Sequence, residues 1–164
     1  MWVRFTVLNT ANKDINIYLE NSYPLTDKVD LYIPEKDGTY KIIKAGNSLP
    51  FDKRPIVHLN VVFPIKINKN LKKVYFLRYH TKSPMIIKLI IYSPETFNSK
   101  RDTEYWILIL LTGIIFVMVI YNLFVYFFIR HISYLFYSLF VFFTGLAFMA
   151  LNGSAYQFLW PQYP

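Results

Sequence analysis

Residues 105–129 form an unbroken run of 25 residues that contains no Asp, Glu, Lys, Arg or His. As an α-helix rising about 1.5 Å per residue, this run is long enough to cross the ~30 Å hydrocarbon core of a bilayer. A second run without Asp, Glu, Lys or Arg begins at residue 132 and continues to residue 164. Because only a few residues separate the two runs, the sequence predicts a transmembrane helical hairpin, with spans at 105–129 and 134–159 and a turn at 130–133.

Charge divides the chain at the same point. All 10 acidic residues and 17 of the 18 Lys and Arg precede residue 105, so nearly the whole net charge of +8 belongs to the first part. The basic balance suggests affinity for acidic surfaces such as anionic lipid heads or charged glycans, and the plain alternative is a solvated, Lys-rich surface. Cysteine is absent, which excludes disulfides, thiolate metal sites and cysteine nucleophiles.

The first part alternates apolar and polar residues with the period of β-strands. Val3, Phe5 and Val7 share one face of the first predicted strand. Asp37-Gly38 is a favoured hairpin dipeptide, and Pro64, which lacks an N–H, places its strand at an edge or on a bulge. Short strands separated by turns predict an antiparallel β-sandwich over residues 1–98. The seven predicted strands are 2–9, 15–20, 29–33, 40–45, 57–67, 74–79 and 85–92.

A polar linker over residues 99–104 is predicted to join the sandwich to the membrane. The aromatic residues at both ends of the hairpin predict an interfacial belt on the side of the β-domain. These residues are Tyr105, Trp106, Trp160 and Tyr163. Lys100 and Arg101 outnumber Arg130, which slightly favours a cytoplasmic β-domain, but long domains translocate largely regardless of charge, so the charge pattern leaves the topology open.

Inside the hairpin, a few polar and small residues interrupt the apolar pattern. Ser133 is the predicted N-cap of the second helix. Ala147, Ala150 and Ser154 recur at spacings of three and four, which predicts close approach of another helix along this stripe. Asn122 lies inside the first span, where an amide is expected to hydrogen-bond to a neighbouring helix and to take part in packing or switching.

Several stretches of both parts together resemble one family, the bacterial seven-transmembrane receptors with diverse intracellular signalling modules. The stretches in the β-part include WVRF, LEN, VDLYIPEKDG, AGNSLPFDKRP, VFPIKI and YFLRYHTKSP, and those in the hydrophobic part are YNLFVYFFIRHISYLFYSLFV and NGSAYQFLWP. The β-part resembles the second extracellular domain of that family, and the hairpin resembles the opening of its seven-helix region. The likeness covers nearly the whole chain.

The resemblance implies a jelly-roll-like sandwich on the periplasmic side of the bacterial inner membrane, followed by a multi-pass bundle with a cytoplasmic turn at 130–133. The sandwich would sense a small-molecule or carbohydrate ligand, and the bundle would pass its state to an output module. Opening strands, five further helices and the output module are expected to lie outside these 164 residues, which would make the chain a fragment. Partners are the ligand and membrane lipids, with a homodimer through the bundle as an open alternative and no nucleic acid.

Ligand contacts are predicted at four residues, two of which are the arginines Arg54 and Arg78 at positions of the family pattern. The planar fork of an arginine can clamp a carboxylate, whereas the alternative is a structural pair with Asp27, Asp30 or Asp52. Asp30 and Tyr32 complete the predicted set. Tyr32, Tyr40 and Trp2 could stack on a sugar, although core packing is the commoner role of any one aromatic residue.

Motifs of catalysis and metal binding are missing from the sequence. His58, His80 and His131 are isolated, and no GxSxG, phosphate-loop or zinc pattern occurs, so we predict no enzyme activity, no catalytic residues, no metal and no cofactor. Two alternatives remain. One is a two-span envelope scaffold or adhesion protein with a glycan-binding β-domain, and the other is a glycan hydrolase, which would need paired carboxylates across a cleft.

Overall fold

Two antiparallel sheets form the N-terminal domain in the computed structural model, which describes residues 1–35, 37–81, 86–159 and 161–162. The four-stranded sheet has the order β1-β6-β3-β4 and the three-stranded sheet the order β5-β2-β7. This confirms the predicted antiparallel β-sandwich. The strands are β1 Trp2–Leu8, β2 Ile15–Asn21, β3 Lys28–Pro34, β4 Tyr40–Ala45, β5 Val61–Ile67, β6 Lys72–His80 and β7 Leu89–Tyr92.

Alternation along the strands builds the core between the sheets. Val3, Phe5 and Val7 pack against the core as expected, and the ring of Phe5 stacks 5.4 Å from that of Tyr75. The three-stranded sheet is buried on both sides at β2, where Leu19 faces the core and the neighbouring Glu20 faces the first helix. A strand buried on both faces is therefore the base on which the helices dock.

Strand ends differ from the sequence prediction by a few residues. Asn9 lies outside β1 because its side-chain amide donates to Lys13 O at 2.9 Å and its oxygen accepts the N–H of Ala11, which turns the chain. β6 begins at Lys72, two residues before the predicted strand 74–79, and β7 is shorter than the predicted strand 85–92. Met85, which was assigned to that last strand, lies outside the described residues. Pro64 is on the edge strand β5, as expected.

The connection between β3 and β4 turns at Asp37-Gly38, as predicted. Gly38 has φ +82°, and the Asp37 carboxylate accepts hydrogen bonds from the N–H and hydroxyl of Thr39 at 3.0 and 2.6 Å. After β4, a Cβ at Gly46 would lie 2.3 Å from Asp27 O, so only glycine allows this close approach of two backbone segments.

Helix α1, Pro94–Ile129, is a single helix of 36 residues. Ser93 caps it by accepting the N–H of Thr96, and Pro94 occupies the favourable first position. The predicted linker at 99–104 is helical instead, because no helix-breaking residue separates Pro94 from the apolar run. The helix is about 54 Å long at 1.5 Å per residue, so its first three turns extend beyond the span and reach the sandwich.

The turn after α1 is tighter than predicted. Arg130 adopts the left-handed conformation with φ +54°, and α2, Ile132–Leu151, begins two residues later. Ser133 therefore lies within α2 and is not its N-cap, since the cap position belongs to His131. The predicted second helix at 134–159 is interrupted at Gly153, with φ +76°, and a short helix α3, Ser154–Phe158, follows.

Both α1 and α2 are long and apolar enough to cross a membrane, and most of their apolar side chains are exposed. The hydroxyl of Tyr105 donates to Gln157 Oε1 at 3.0 Å. The start of the first span and the end of the hairpin therefore lie on the same side, next to the sandwich, as expected. Trp106 is exposed, whereas Trp160 and Tyr163 of the predicted belt lie outside the described residues.

Candidate functional site

The outer surface of the four-stranded sheet carries a cluster of aromatic side chains, here called the aromatic face and defined by Trp2, Tyr32, Tyr40 and Phe76. The rings of Trp2 and Tyr32 lie 5.0 Å apart, and Tyr40 contacts Tyr32 and Phe76 edge-on at 6.3 and 6.0 Å. Trp2 is 56% and Tyr40 49% exposed. A contiguous exposed aromatic surface on a sheet is typical of a binding face.

A row of charged residues crosses the sheet beside the aromatic face. The strand register places Trp2 opposite Arg78, Arg78 opposite Asp30, and Asp30 opposite Lys44. The Arg78 guanidinium lies 5.8 Å from the centre of the Trp2 ring. With adjacent strands about 4.8 Å apart, the row spans about 14 Å.

Three of the four predicted ligand contacts therefore lie together. Arg78 and Asp30 are cross-strand neighbours, and Tyr32 lies two residues along β3 from Asp30, on the same face. A groove of about 410 Å³ opens beside this row. Its lining residues are Lys28, Asp30, Lys44, Ala45, Leu49, Arg78 and His80.

Arg54, the fourth predicted contact, lies elsewhere, in the loop that faces the helices. Its guanidinium donates to His58 O and Leu59 O at 2.7 and 2.8 Å and to Asn47 Oδ1 at 2.6 Å. These neutral oxygens take the place of the aspartates proposed as structural partners. The charge lies 4.4 Å from the Phe51 ring, and burial lowers the pKa of Arg54 to about 10, so it stays protonated at neutral pH.

A buried ion pair attaches α1 to the sandwich. Lys100 Nζ donates to Glu20 Oε2 at 2.6 Å and to Oε1 at 2.9 Å, and Asn60 Nδ2 donates to the same Oε1 at 2.6 Å. Glu20 is fully buried. A buried carboxylate needs its partners, because the loss of either one leaves an uncompensated charge in the interior.

His58 and Glu104 extend this contact toward the membrane. His58 Nε2 lies 3.2 Å from Glu104 Oε2, and His58 Nδ1 accepts the N–H of Asn60 at 3.2 Å. The imidazole packs edge-on against Phe97, which is buried between α1 and the three-stranded sheet. We call Glu20, His58, Lys100 and Glu104 the junction cluster.

The charges of the junction cluster stabilise one another. Hydrogen bonding to His58 lowers the pKa of Glu104, and the charge of Lys100 lowers it further, against an opposing effect of burial. Burial acts to lower the pKa of Lys100, but the hydrogen bond and charge of Glu20, together with Glu104, outweigh it and raise that pKa. Both charged forms are thus favoured in the folded protein.

The end of the hairpin makes a second attachment to the sandwich. The Tyr156 hydroxyl of α3 donates to Leu49 O, and the N–H of Phe51 donates to Pro161 O at 2.8 Å. The Tyr156 ring packs edge-on against Phe51 and lies 5.6 Å from the Arg54 guanidinium. Arg54 therefore stabilises the loop against which α3 packs.

Sequence reasoning missed the junction cluster. In the sequence His58 is isolated, yet the fold brings it to Glu104, 46 positions further along the chain. The available signal was the i,i+4 pair Lys100 and Glu104 just before the uncharged run. Within the described parts of the chain, no group of three or more His, Cys, Asp or Glu could hold a metal ion.

The predicted bundle residues are spread over different environments. Asn122 donates to Met118 O at 2.8 Å within α1, whereas the hydrogen bond between the helices comes from Ser138, whose hydroxyl donates to Val119 O at 3.1 Å. Ser154 is buried in α3, past the helix break. Ala147 and Ala150 are exposed on α2, so the described parts of α1 and the sandwich leave that part of the stripe uncovered.

Comparison with known proteins gives two matches to family models. The model described as 7TMR-DISM extracellular 2 matches residues 1–93, and the model described as 7TM diverse intracellular signalling matches residues 104–164. No curated protein and no solved structure matches the chain. The boundary between the matched segments falls within the first turns of α1, beside the junction cluster.

Proposed function

Since the chain belongs to the 7TMR-DISM family of membrane receptors, with an extracellular domain followed by membrane helices, we propose that its β-domain senses a ligand and passes its state to the helices. The ligand is a carbohydrate or another small molecule bound in the periplasm. The helices belong to a multi-pass bundle of the bacterial inner membrane, and the chain itself is a sensor and transmitter without catalytic activity.

The aromatic face supports ligand sensing. It combines exposed aromatic rings with an arginine and an aspartate in one row. Aromatic rings can stack on the ring of a ligand, while the arginine and the aspartate can form hydrogen bonds with the substituents of that ring. Three residues predicted from the sequence, Asp30, Tyr32 and Arg78, meet there. The groove beside them is within the size range of small-molecule sites.

One observation carries the proposal of transmission, namely the buried ion pair between Glu20 and Lys100. Glu20 belongs to the central strand of the three-stranded sheet, and Lys100 belongs to the same continuous helix as the first span. A displacement of β2 therefore moves the helix without a flexible linker to absorb it. The contacts of Tyr156 attach the end of the hairpin in the same way.

The physical mechanism is a shift of population. A ligand that binds one arrangement of the sandwich better than another favours that arrangement by its difference in affinity. Because both helix ends are attached to the sandwich, each arrangement corresponds to its own packing of α1 against α2. The packing near Asn122 and Ser138 is where we expect the change to be read out.

Disulfide formation between paired cysteines tests this coupling without knowledge of the ligand. The chain has no native cysteine, so Val119→Cys and Ser138→Cys form a single reporter pair across the helices. Lys100→Met removes the junction ion pair about 28 Å away along α1. We expect this change to alter the rate of disulfide formation in proteoliposomes several-fold.

Arg101→Met is the matched control, because Arg101 pairs only with its exposed neighbour Asp102 among the described residues. It should leave the disulfide rate unchanged. If Lys100→Met also leaves the rate unchanged, the helices are independent of the sandwich. That result would contradict the proposed transmission and favour the envelope scaffold or adhesion protein.

A further inference from the structure

The groove beside the charged row carries an excess of positive charge. Lys28, Lys44 and Arg78 line the groove together with a single carboxylate, that of Asp30. Within the described ranges, none of the three cations forms an ion pair. Three cations against one carboxylate leave a net positive charge around the groove, which favours an anionic ligand.

The presence of an arginine among the cations favours a carboxylate as the anionic group of the ligand. Arg78 presents a planar fork that matches a carboxylate in two parallel hydrogen bonds, and its position over the Trp2 ring limits its freedom. Lys44 lies two strands away in the same row, while Lys28 lies opposite His80 on the neighbouring row. The three cations thus come from three neighbouring strands and line one groove.

Asp30 argues against a polyanion such as nucleic acid or polyphosphate. Its carboxylate lies between Arg78 and Lys44 in the row and would repel a densely charged ligand. It would instead accept hydrogen bonds from hydroxyl groups. A ligand that suits both Asp30 and the cations has hydroxyl donors and one negative charge per ring.

From this arrangement we infer that the ligand is an acidic saccharide, a pyranose that carries a carboxylate. Its ring stacks on Trp2 beside Tyr32, its carboxylate binds Arg78 with the two lysines nearby, and a hydroxyl donates to Asp30. The inference rests on the proposed function, that this domain senses an extracellular saccharide, and adds the charge of the ligand and the residues that recognise it.

Calorimetric titration of the full chain in detergent micelles tests the inference. The probes are trimers of galacturonate, mannuronate and guluronate, each paired with its fully methyl-esterified form, which keeps the rings and removes the charge. We expect at least one acid trimer to bind, with its ester weaker by tenfold or more, because a charge-assisted hydrogen bond is lost.

Three variants locate the site. Arg78→Gln should remove most of the preference for acid over ester, and Trp2→Ala should weaken acid and ester by similar factors. Lys66→Gln is the control, since Lys66 is an exposed cation on the other sheet, and it should change neither affinity. A thermal unfolding scan of each variant establishes that it is folded.

Each contrary outcome overturns a different statement. Equal affinity for acid and ester, or binding of the neutral trimer galactotriose alone, contradicts the acidic ligand and leaves saccharide sensing in place. Binding of tripolyphosphate as tightly as the acid trimer makes the row a general anion patch and overturns the inference. Absence of binding to every saccharide overturns both the inference and the carbohydrate-sensing part of the proposed function.

Discussion

At the scale of single residues, the fold depends on polar groups that are paired over long distances in the sequence. Glu20 has no exposed surface, and its carboxylate is satisfied by Lys100 and Asn60, 80 and 40 positions away. Arg54 is almost as deeply buried, and its guanidinium donates hydrogen bonds to three protein oxygens. Because burial of an unpaired charge is costly, we expect substitution of these two residues to reduce stability more than substitution of an exposed charged residue does.

Replacement of Lys100 by methionine should destabilise the sandwich by about 3 kcal/mol, because it leaves the Glu20 carboxylate buried without its cation. Urea unfolding in detergent micelles, followed by tryptophan fluorescence, measures the change. Arg101→Met, one position further along the same helix, should change the free energy of unfolding by less than about 0.5 kcal/mol, since its ion pair is exposed. Equal losses for both variants would contradict a special role for the buried pair.

Acid should weaken the junction cluster through Glu104. Its pKa is lowered below the ordinary value of 4.5, mainly by the hydrogen bond to His58, so its stabilising contribution is present above pH 4.5 and is lost as the pH falls through the lower folded value. Lys100 acts in the opposite range, since its pKa is raised above 10.5 and its contribution is lost only as the pH rises through that higher value.

The melting temperature is therefore expected to fall on acidification below pH 4.5, and Glu104→Gln should reduce this dependence because glutamine does not titrate. Differential scanning calorimetry between pH 7 and about pH 3 compares the two proteins. The comparison variant Glu95→Gln, at the exposed start of the same helix, removes a carboxylate whose pKa is lowered by backbone hydrogen bonding and by Ser93, not by His58. An identical loss of acid dependence in both variants would show that His58 and Lys100 do not set the response.

Among the elements, α1 packs against two different parts of the molecule. Its first three turns contact the sandwich through Phe97 and Lys100, and its remainder packs against α2. The contact between the two helices depends on a small residue, because a Cβ at Gly145 would lie 2.8 Å from Ile115 Cγ2. A glycine at a close helix crossing is typical of packing in membranes, where tight contact replaces the hydrophobic effect.

Gly145→Ala should consequently weaken the α1–α2 contact by about 1 kcal/mol or more, since the added methyl overlaps with Ile115. Gly113→Ala is a matched control on α1, where nothing lies within 4 Å of an added Cβ, and it should be neutral or slightly stabilising. Thermal unfolding in detergent micelles measures both. In an Ile115→Ala background, which lacks the Cγ2 atom, Gly145→Ala should cost less, and a failure of both contrasts would contradict the close crossing.

At the scale of the whole molecule, a sandwich and a helical hairpin are joined on one side of the membrane. The hydrogen bond from Tyr105 to Gln157 brings both helix ends to the sandwich, and the turn at Arg130 and His131 lies at the opposite end of the hairpin. The cation count around the first span did not settle the orientation. The match to the extracellular domain model places the sandwich outside, and we expect the turn on the opposite side of the membrane if α1 spans it.

Labelling of single cysteines with a membrane-impermeant maleimide in intact cells checks this arrangement. Thr39→Cys lies in the exposed β3–β4 turn and should react once the outer membrane is permeabilised. His131→Cys lies in the exposed turn between the helices and should react only after the inner membrane is permeabilised. Since the chain contains no other cysteine, the reverse labelling pattern would contradict the orientation directly.

Local patterns in the sequence are enough to predict the classes of element. Period-two alternation predicts strands such as β1, Pro64 predicts an edge or a bulge, and 25 residues without charge predict a span. Each of these predictions depends on the steric and solvation properties of neighbouring residues. Which residues meet depends on the three-dimensional fold. The cross-strand row of Trp2, Arg78 and Asp30 and the pairing of Glu20 with Lys100 join positions far apart in the chain, where no local pattern operates and only strand order and helix docking bring the groups together.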